Sequence, residues 1–182
     1  MTMMRFDFFI GFKPFQDTAI LTDRGWHQTG KRTAKVFYNA RGWVTHILGN
    51  VWEFTAPGEH PSWGATNTSA AWLCEHLFTH YQYTLDKEYL KEVYPVMKGA
   101  ALFFTDMLVR DPRNNYLVTA PTTSPENAYR MPNGKAIHIC AGSTMDNQIV
   151  RELFTSPLST CCFVHSIIGR CNSERFVTSA GQ

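Results

Sequence analysis

The sequence is poor in the features that announce the commonest chemistries. Cysteine is present but unpatterned: five residues, at 74, 140, 161, 162 and 171, an odd count with no regular spacing. That argues against a disulfide framework and against a CxxC metal site. Cys74 and Cys140 read as small buried apolar residues, and the adjacent pair Cys161–Cys162 is open to oxidation. Charged residues make up only 18% and the net charge is +2. Lys and Arg never gather into a block, so neither nucleic acid nor an anionic membrane is an expected partner. No apolar run approaches the ~20 residues that span a bilayer. Phe8-Phe9-Ile10 is too short a core for a signal peptide, so the chain as written carries no export address. A glycine-rich phosphate loop, a Walker pattern, a dinucleotide fingerprint and a G-x-S-x-G elbow are all missing, which leaves no cofactor to expect and no support for a serine hydrolase. His76 and His80 stand i,i+4 on one helix. Without a His-Glu-x-x-His order or a third ligand they read as helix packing, and no metal is expected.

What is present is a chain of 182 residues, long enough for one domain with a real core. Aromatics are abundant at 14%, with five Trp, which suits stacking on the apolar faces of sugars and suits a well-filled core equally. Three textures follow one another. Residues 1–42 are irregular, residues 43–155 are strongly patterned, and residues 156–182 are rich in Ser, Thr and Cys without an amphipathic period.

The patterned zone opens with a Gly- and Pro-punctuated loop, 42–64, that holds Trp43, His46, Trp52, His60 and Trp63. A helix is expected from about Thr66 to Tyr83, with Ala70, Leu73, Leu77 and Tyr81 as its apolar stripe and Thr66 or Asn67 as its cap. The clearest helix follows. Asp86 is its natural N-cap, and Leu90, Val93, Tyr94, Met97, Ala101, Phe104 and Leu108 recur at spacings of three and four. Pro95 predicts a bend or a break, and Asp111-Pro112 ends the pattern. About 30 residues with little helical character come next, and loops that long inside compact domains tend to be functional. Tyr116–Thr119 and Ala136–Cys140 read as short strands, with a turn at Pro132-Asn133-Gly134. A last helix is expected from about Thr144 to Phe154, and Ser143 and Asp146 have the spacing of a capping box. Helix, long decorated loop, helix: the expected fold class is all-α, with chemistry carried on a loop and a short β-hairpin admitted within it.

Within that loop, Ala120-Pro121-Thr122-Thr123-Ser124-Pro125-Glu126-Asn127 sets one carboxylate among hydroxyls, between two prolines that fix φ. Glu126 is either a solvated turn residue or an acid held for proton transfer to a polyhydroxylated substrate. Glycoside hydrolysis needs two carboxyl groups about the scissile bond, one of them a proton donor. Burial against Trp52, Trp63 or Tyr129 would keep that donor protonated near neutral pH.

The residues resemble a known family. Gly42-Trp43-Val44-Thr45-His46, Trp52, Thr55-Ala56-Pro57-Gly58, Ser62-Trp63-Gly64, Ala71-Trp72-Leu73-Cys74-Glu75-His76-Leu77, Asp86-Lys87-Glu88-Tyr89-Leu90, Tyr94-Pro95, Ser124-Pro125-Glu126-Asn127 and Thr144-Met145-Asp146-Asn147-Gln148-Ile149 are similar, in order, to the catalytic region of glycoside hydrolase family 95. The resemblance covers residues 30–155 and leaves 1–29 and 156–182 as unmatched segments. It implies a portion of an (α/α)6 toroid and hydrolysis of terminal α-linked L-fucose with inversion, Glu126 being the general acid. The implied partner is a fucosylated oligosaccharide or glycan. His46, Trp52 and Trp63 fall in the segment whose family counterparts line the sugar pocket, with core packing the competing role. Asp146 belongs to the motif too, as a substrate contact or as the partner of a Ser143 cap. The family also includes α-L-galactosidases, and L-fucose is 6-deoxy-L-galactose, so sequence leaves that choice open. A non-catalytic helical binding fragment is the reading from another class. Family members act outside the cytoplasm, which implies an extracellular or periplasmic parent.

Departures from the family pattern accompany the match. The family's water-activating carboxylate and its two asparagine helpers have no counterpart here. Asn50 stands where many members carry Asp, and Glu53 where many carry Gly. Twelve helices of about 12 residues with loops of about 5 need ~200 residues or more, whereas three are patterned here. The expectation is a fragment that holds one catalytic carboxylate and does not turn over alone.

Overall fold

A computed structural model of the chain describes residues 25–50 and 52–155. The element order is α1 (Trp26–Tyr38), α2 (Pro61–Gly64), α3 (Ser69–Thr84), α4 (Lys87–Met107), β1 (Leu108–Arg110), β2 (Leu117–Thr119), β3 (Thr122–Thr123), β4 (Tyr129–Arg130), β5 (Ala136–Ile137), β6 (Ile139–Cys140) and α5 (Thr144–Thr155). About half of the described residues are helical. The all-α expectation is thereby corrected in part, because short antiparallel ladders pair β1 with β2, β3 with β6 and β4 with β5. Cys161, Cys162 and Cys171, and most of the two segments expected to be irregular, lie outside the described residues. No helix among the described residues is long and apolar enough to cross a membrane.

Residues 25–38 were expected to be irregular, yet 26–38 form α1. Its inward face is Trp26, His27, Gly30, Thr33 and Ala34, a helical period written in small and polar residues instead of aliphatic ones. Helix α3 starts later than expected: Thr66, Asn67 and Thr68 are buried ahead of it, with Asn67 bonded to Pro121 O and Thr68 to Asp146 instead of capping a helix. Its buried stripe is Ala70, Ala71, Cys74 and Leu77, one position round from the expected Leu73 and Tyr81. Leu85 stops it in a left-handed conformation at φ 54°. Asp86 then caps α4 as expected, accepting from the amides of Glu88 at 2.9 Å and Tyr89 at 3.1 Å. Helix α4 runs on through Pro95 instead of breaking. Pro95 and Lys91 are both exposed, so the carbonyl that the missing N–H leaves free lies on the wet side of the helix. The helix ends at Met107, and Leu108–Arg110, expected as helix, extends to pair with β2 in the register Leu108↔Thr119 and Arg110↔Leu117.

Helices α3, α4 and α5 pack on one another around fully buried Phe103, Phe104, Met97, Leu77 and Ile149. Each such side chain stabilises by about 1.5–3 kcal/mol relative to exposure. Trp43, also fully buried, is wedged between α1 and α4. Its indole N–H donates to Val96 O at 2.8 Å, its own amide reaches Gly99 O at 3.3 Å, and the amide of Val44 reaches Gly30 O at 3.2 Å. A Cβ on Gly30 would lie 2.9 Å from the Trp43 ring and one on Gly99 2.8 Å from it. Those two glycines are the slot that receives the indole.

Candidate active site

The segment carrying Glu126 is anchored by its stem. Thr119 ends β2, while Thr122 and Thr123 make β3, and all three are fully buried. Register pairs Thr122 with Cys140 and Thr123 with Ile139. The Thr123 hydroxyl donates to His138 O at 3.0 Å and lies 3.4 Å from Ser62 O. Asn67 Nδ2 donates to Pro121 O at 3.2 Å. Peptides Ala120–Pro121 and Pro125–Glu126 are both cis. The stem opens into a tight turn in which the Asn127 amide donates to Ser124 O at 2.7 Å and Asn127 Nδ2 to Ser124 Oγ at 3.3 Å. Glu126 stands exposed on that turn.

The aromatic burial expected of Glu126 is therefore absent among the described residues. Trp52 is 85% exposed and Tyr129 46%. Trp52 sits in a turn where Asn50 Oδ1 accepts its amide at 2.9 Å, and its ring is left in solvent. Tyr129 lies along the β4–β5 hairpin with its hydroxyl on Ile139 O at 3.1 Å.

Trp63 is the expected aromatic that the fold links to the acid. It is half-buried and stacks on His60 with centroids 6.3 Å apart. His60 meets His138 edge-on at 6.0 Å, and His138 Nδ1 donates to the Asn127 carbonyl at 3.0 Å. Three rings thus run from the Ser62-Trp63-Gly64 motif to the residue beside Glu126. His60 is held by α2, its Nδ1 accepting the Ser62 amide at 3.2 Å. A Cβ on Gly58 would fall 2.2 Å from the Trp63 ring, so glycine there lets the indole lie against the backbone. Sequence reasoning noted His60 only as a loop residue and missed His138, since an isolated His has no spacing signal.

His46, expected to line a sugar pocket, is buried with both ring nitrogens committed. Nδ1 lies 2.7 Å from Thr55 O, a group that only accepts, so Nδ1 carries the proton. Nε2 then accepts from the Tyr38 hydroxyl at 2.6 Å. Burial lowers the His46 pKa, with the Thr55 carbonyl opposing. Burial pushes the Tyr38 phenol up to about 12, with Asn67 opposing. Both groups stay neutral, and His46 packs Tyr38 into the core.

Asp146 is likewise without an open face for substrate: it is fully buried. Its Oδ2 accepts from Thr119 at 2.8 Å and its Oδ1 from Thr68 at 3.2 Å. Burial raises its pKa, opposed by hydroxyls of Thr122, Thr119, Thr68 and Ser143. The Ser143 hydroxyl does accept the Asp146 amide at 3.2 Å, so the expected cap forms at α5.

A pair of carboxyl groups lies apart from the turn that carries Glu126. Glu75 and Glu152 line a cavity of about 340 Å³ between α3, α4 and α5. Burial, then hydrogen bonding to Glu152 and repulsion from it, push Glu75 up to about 8. Among the described residues no group of three or more His, Cys, Asp or Glu converges as a metal site, and His80 packs on Tyr89 with centroids 4.1 Å apart.

Comparison with known proteins gives these arrangements a context. A model of the glycosyl hydrolase family 95 catalytic domain matches residues 14–170, reaching beyond 30–155 at both ends. The Arabidopsis thaliana protein named Alpha-L-fucosidase 2 is 38% identical over 145 residues, 79% of this chain and 17% of that protein. Probable alpha-fucosidase A of Aspergillus niger is 32% identical over 133 residues, 71% of this chain and 16% of that protein. The chain thus spans about a sixth of the length of the curated relatives it matches.

Proposed function

Because this chain belongs to the glycosyl hydrolase family 95 catalytic domain, we propose that it supplies the acid-bearing part of an α-L-fucosidase site, with helices α1, α3, α4 and α5 an arc of an (α/α)6 toroid. The substrate is a terminal α-linked L-fucose on a glycan, and its bond breaks with inversion. Glu126 gives its proton to the glycosidic oxygen as that bond lengthens, while water attacks the opposite face of the ring. Water activation is assigned to no residue described here, so the chain alone is expected to turn over fucosides poorly. Trp63, with His60 and His138, offers ring surface beside the acid. Trp52 projects an exposed ring that can contribute from a neighbouring turn.

The observation that carries this reading is a carboxylate presented outward from a fully buried, hydroxyl-pinned stem, in the Ser-Pro-Glu motif of a chain 38% identical to a protein named Alpha-L-fucosidase 2. The test is leaving-group dependence in this segment complemented by the remainder of a family 95 domain. Glu126→Gln should slow cleavage of 2′-fucosyllactose by about 10²–10⁴-fold, the range for general acid catalysis. It should slow α-L-fucosyl fluoride far less, since fluoride leaves with little help from a proton. Equal losses on both substrates, or none on either, would remove Glu126 from the acid role.

A further inference from the structure

We propose that Asp146 is the positioning residue for the turn that carries Glu126, its buried carboxylate tying Thr119, the residue just before Ala120-Pro121, to the start of α3. The inference rests on the assignment of Glu126 as the acid. Thr119 is the last residue before Ala120-Pro121, so the hydroxyl that donates to Asp146 at 2.8 Å stands at the root of the bend from which the acid turn springs. Thr68 brings the α3 start to the other carboxylate oxygen, and Ser143 fastens Asp146 to its own helix. Asn67, next to Thr68, takes the Pro121 carbonyl. Groups from the α3 cap, the α5 start and β2 therefore converge on one residue. Bulk stability is not what this arrangement supplies best. A buried carboxylate is costly unless fully hydrogen-bonded, and an apolar residue of similar volume often serves stability as well or better. What the carboxylate adds is direction: it accepts only, so every hydroxyl around it must point inward. That directionality sits at the root of a proton donor, where a displacement of about 1 Å can cost 10²-fold in rate.

Amide hydrogen exchange on the full chain separates anchoring from general stabilisation. Two amides report on the stem and turn, Gly142 bonded to Thr119 O and Asn127 bonded to Ser124 O. In Asp146→Asn and in Thr119→Val both should exchange about ten-fold faster or more, because the stem loses the bond that holds it to Asp146. Amides inside α4 should keep their wild-type rates, and Thr119→Ser should restore protection. Unchanged exchange at the two amides, or equal acceleration across α4, overturns the proposal; should Asp146→Asn not fold, the Thr119 pair decides it. These amides report on the stem whether or not Glu126 donates a proton. A failed leaving-group test therefore sinks the acid assignment, and a failed exchange test sinks the role of Asp146 alone.

Discussion

Glu53 has φ 59°, a left-handed conformation that costs an L-residue about 1–2 kcal/mol. Sequence marked this position only as a departure, because many family members carry Gly there. The backbone gives the reason: glycine suits the turn, and Glu strains it. Asn50 likewise acts on the backbone, its Oδ1 accepting the amides of Trp52 at 2.9 Å and Phe54 at 3.4 Å, a role that Asp fills equally well. Glu53→Gly should therefore be neutral or stabilising by up to about 1 kcal/mol, because strain relief competes with the larger unfolded-state entropy of glycine. Glu53→Val should destabilise by about 1 kcal/mol or more, β-branching being poorly tolerated at positive φ. Urea denaturation of the two variants beside the wild type checks the sign. Residue type was legible in the sequence at such positions; the direction of a side chain was not. His46 and Asp146, read from the motifs as site residues, turn inward, and Trp52 turns outward. A motif records which residue stands where, while its direction depends on neighbours 9 to 78 positions away, Thr55 for His46 and Thr68 for Asp146.

At the scale of elements, legibility followed hydrophobic contrast. Helix α4 alternates aliphatic and charged faces and carries an Asp cap, so both its existence and its start could be read. Helix α1 packs through glycine, threonine and alanine, which fill a slot without raising the apolar signal. The strand expected at 136–140 divides at His138, because β5 pairs with β4 whereas β6 pairs with β3. Two partners cannot be inferred from one short apolar run. The slot around Trp43 is where sequence and packing meet most tightly. Gly42 has φ 67°, and a Cβ there would lie 1.9 Å from Gly99 O. Backbone atoms cannot step aside as a flexible side chain would. Gly42→Ala should then destabilise by about 3 kcal/mol or more, from overpacking added to backbone strain. Gly134→Ala shares a positive φ of 80° but meets nothing within 4 Å, so it should cost only about 1 kcal/mol of strain. Thermal melts of the pair measure how much of the Gly42 penalty is steric.

Across the molecule, the pH dependence of stability above about pH 4 reflects buried and half-buried groups whose shifts act in opposite senses. His46 has a lowered pKa in the folded chain, so the unfolded chain takes up its proton first as pH falls below the ordinary 6.5, and stability is lost in that direction. Glu75 has the reverse linkage. Its pKa rises from 4.5 to about 8 on folding, so between those values the native state holds the extra proton and stability falls as pH rises. Asp146, also raised, adds to that fall from just above 3.8 upward. Below about pH 6.5 His46 offsets the two carboxyls, whereas from 6.5 to about 8 Glu75 dominates the slope. One Glu75 oxygen is shut away from solvent without a hydrogen-bond partner, and Glu152 faces it across the cavity. Ionising Glu75 would place its charge on a half-buried group beside the carboxyl of Glu152. Glu75→Gln keeps a donor toward Glu152 and cannot ionise. Its melting temperature should stay level from pH 6.5 to 8.5, while that of the wild type declines steadily over the same range. A wild-type profile as level as that of the Gln variant would mean that Glu75 ionises as readily in the folded chain as in the unfolded one.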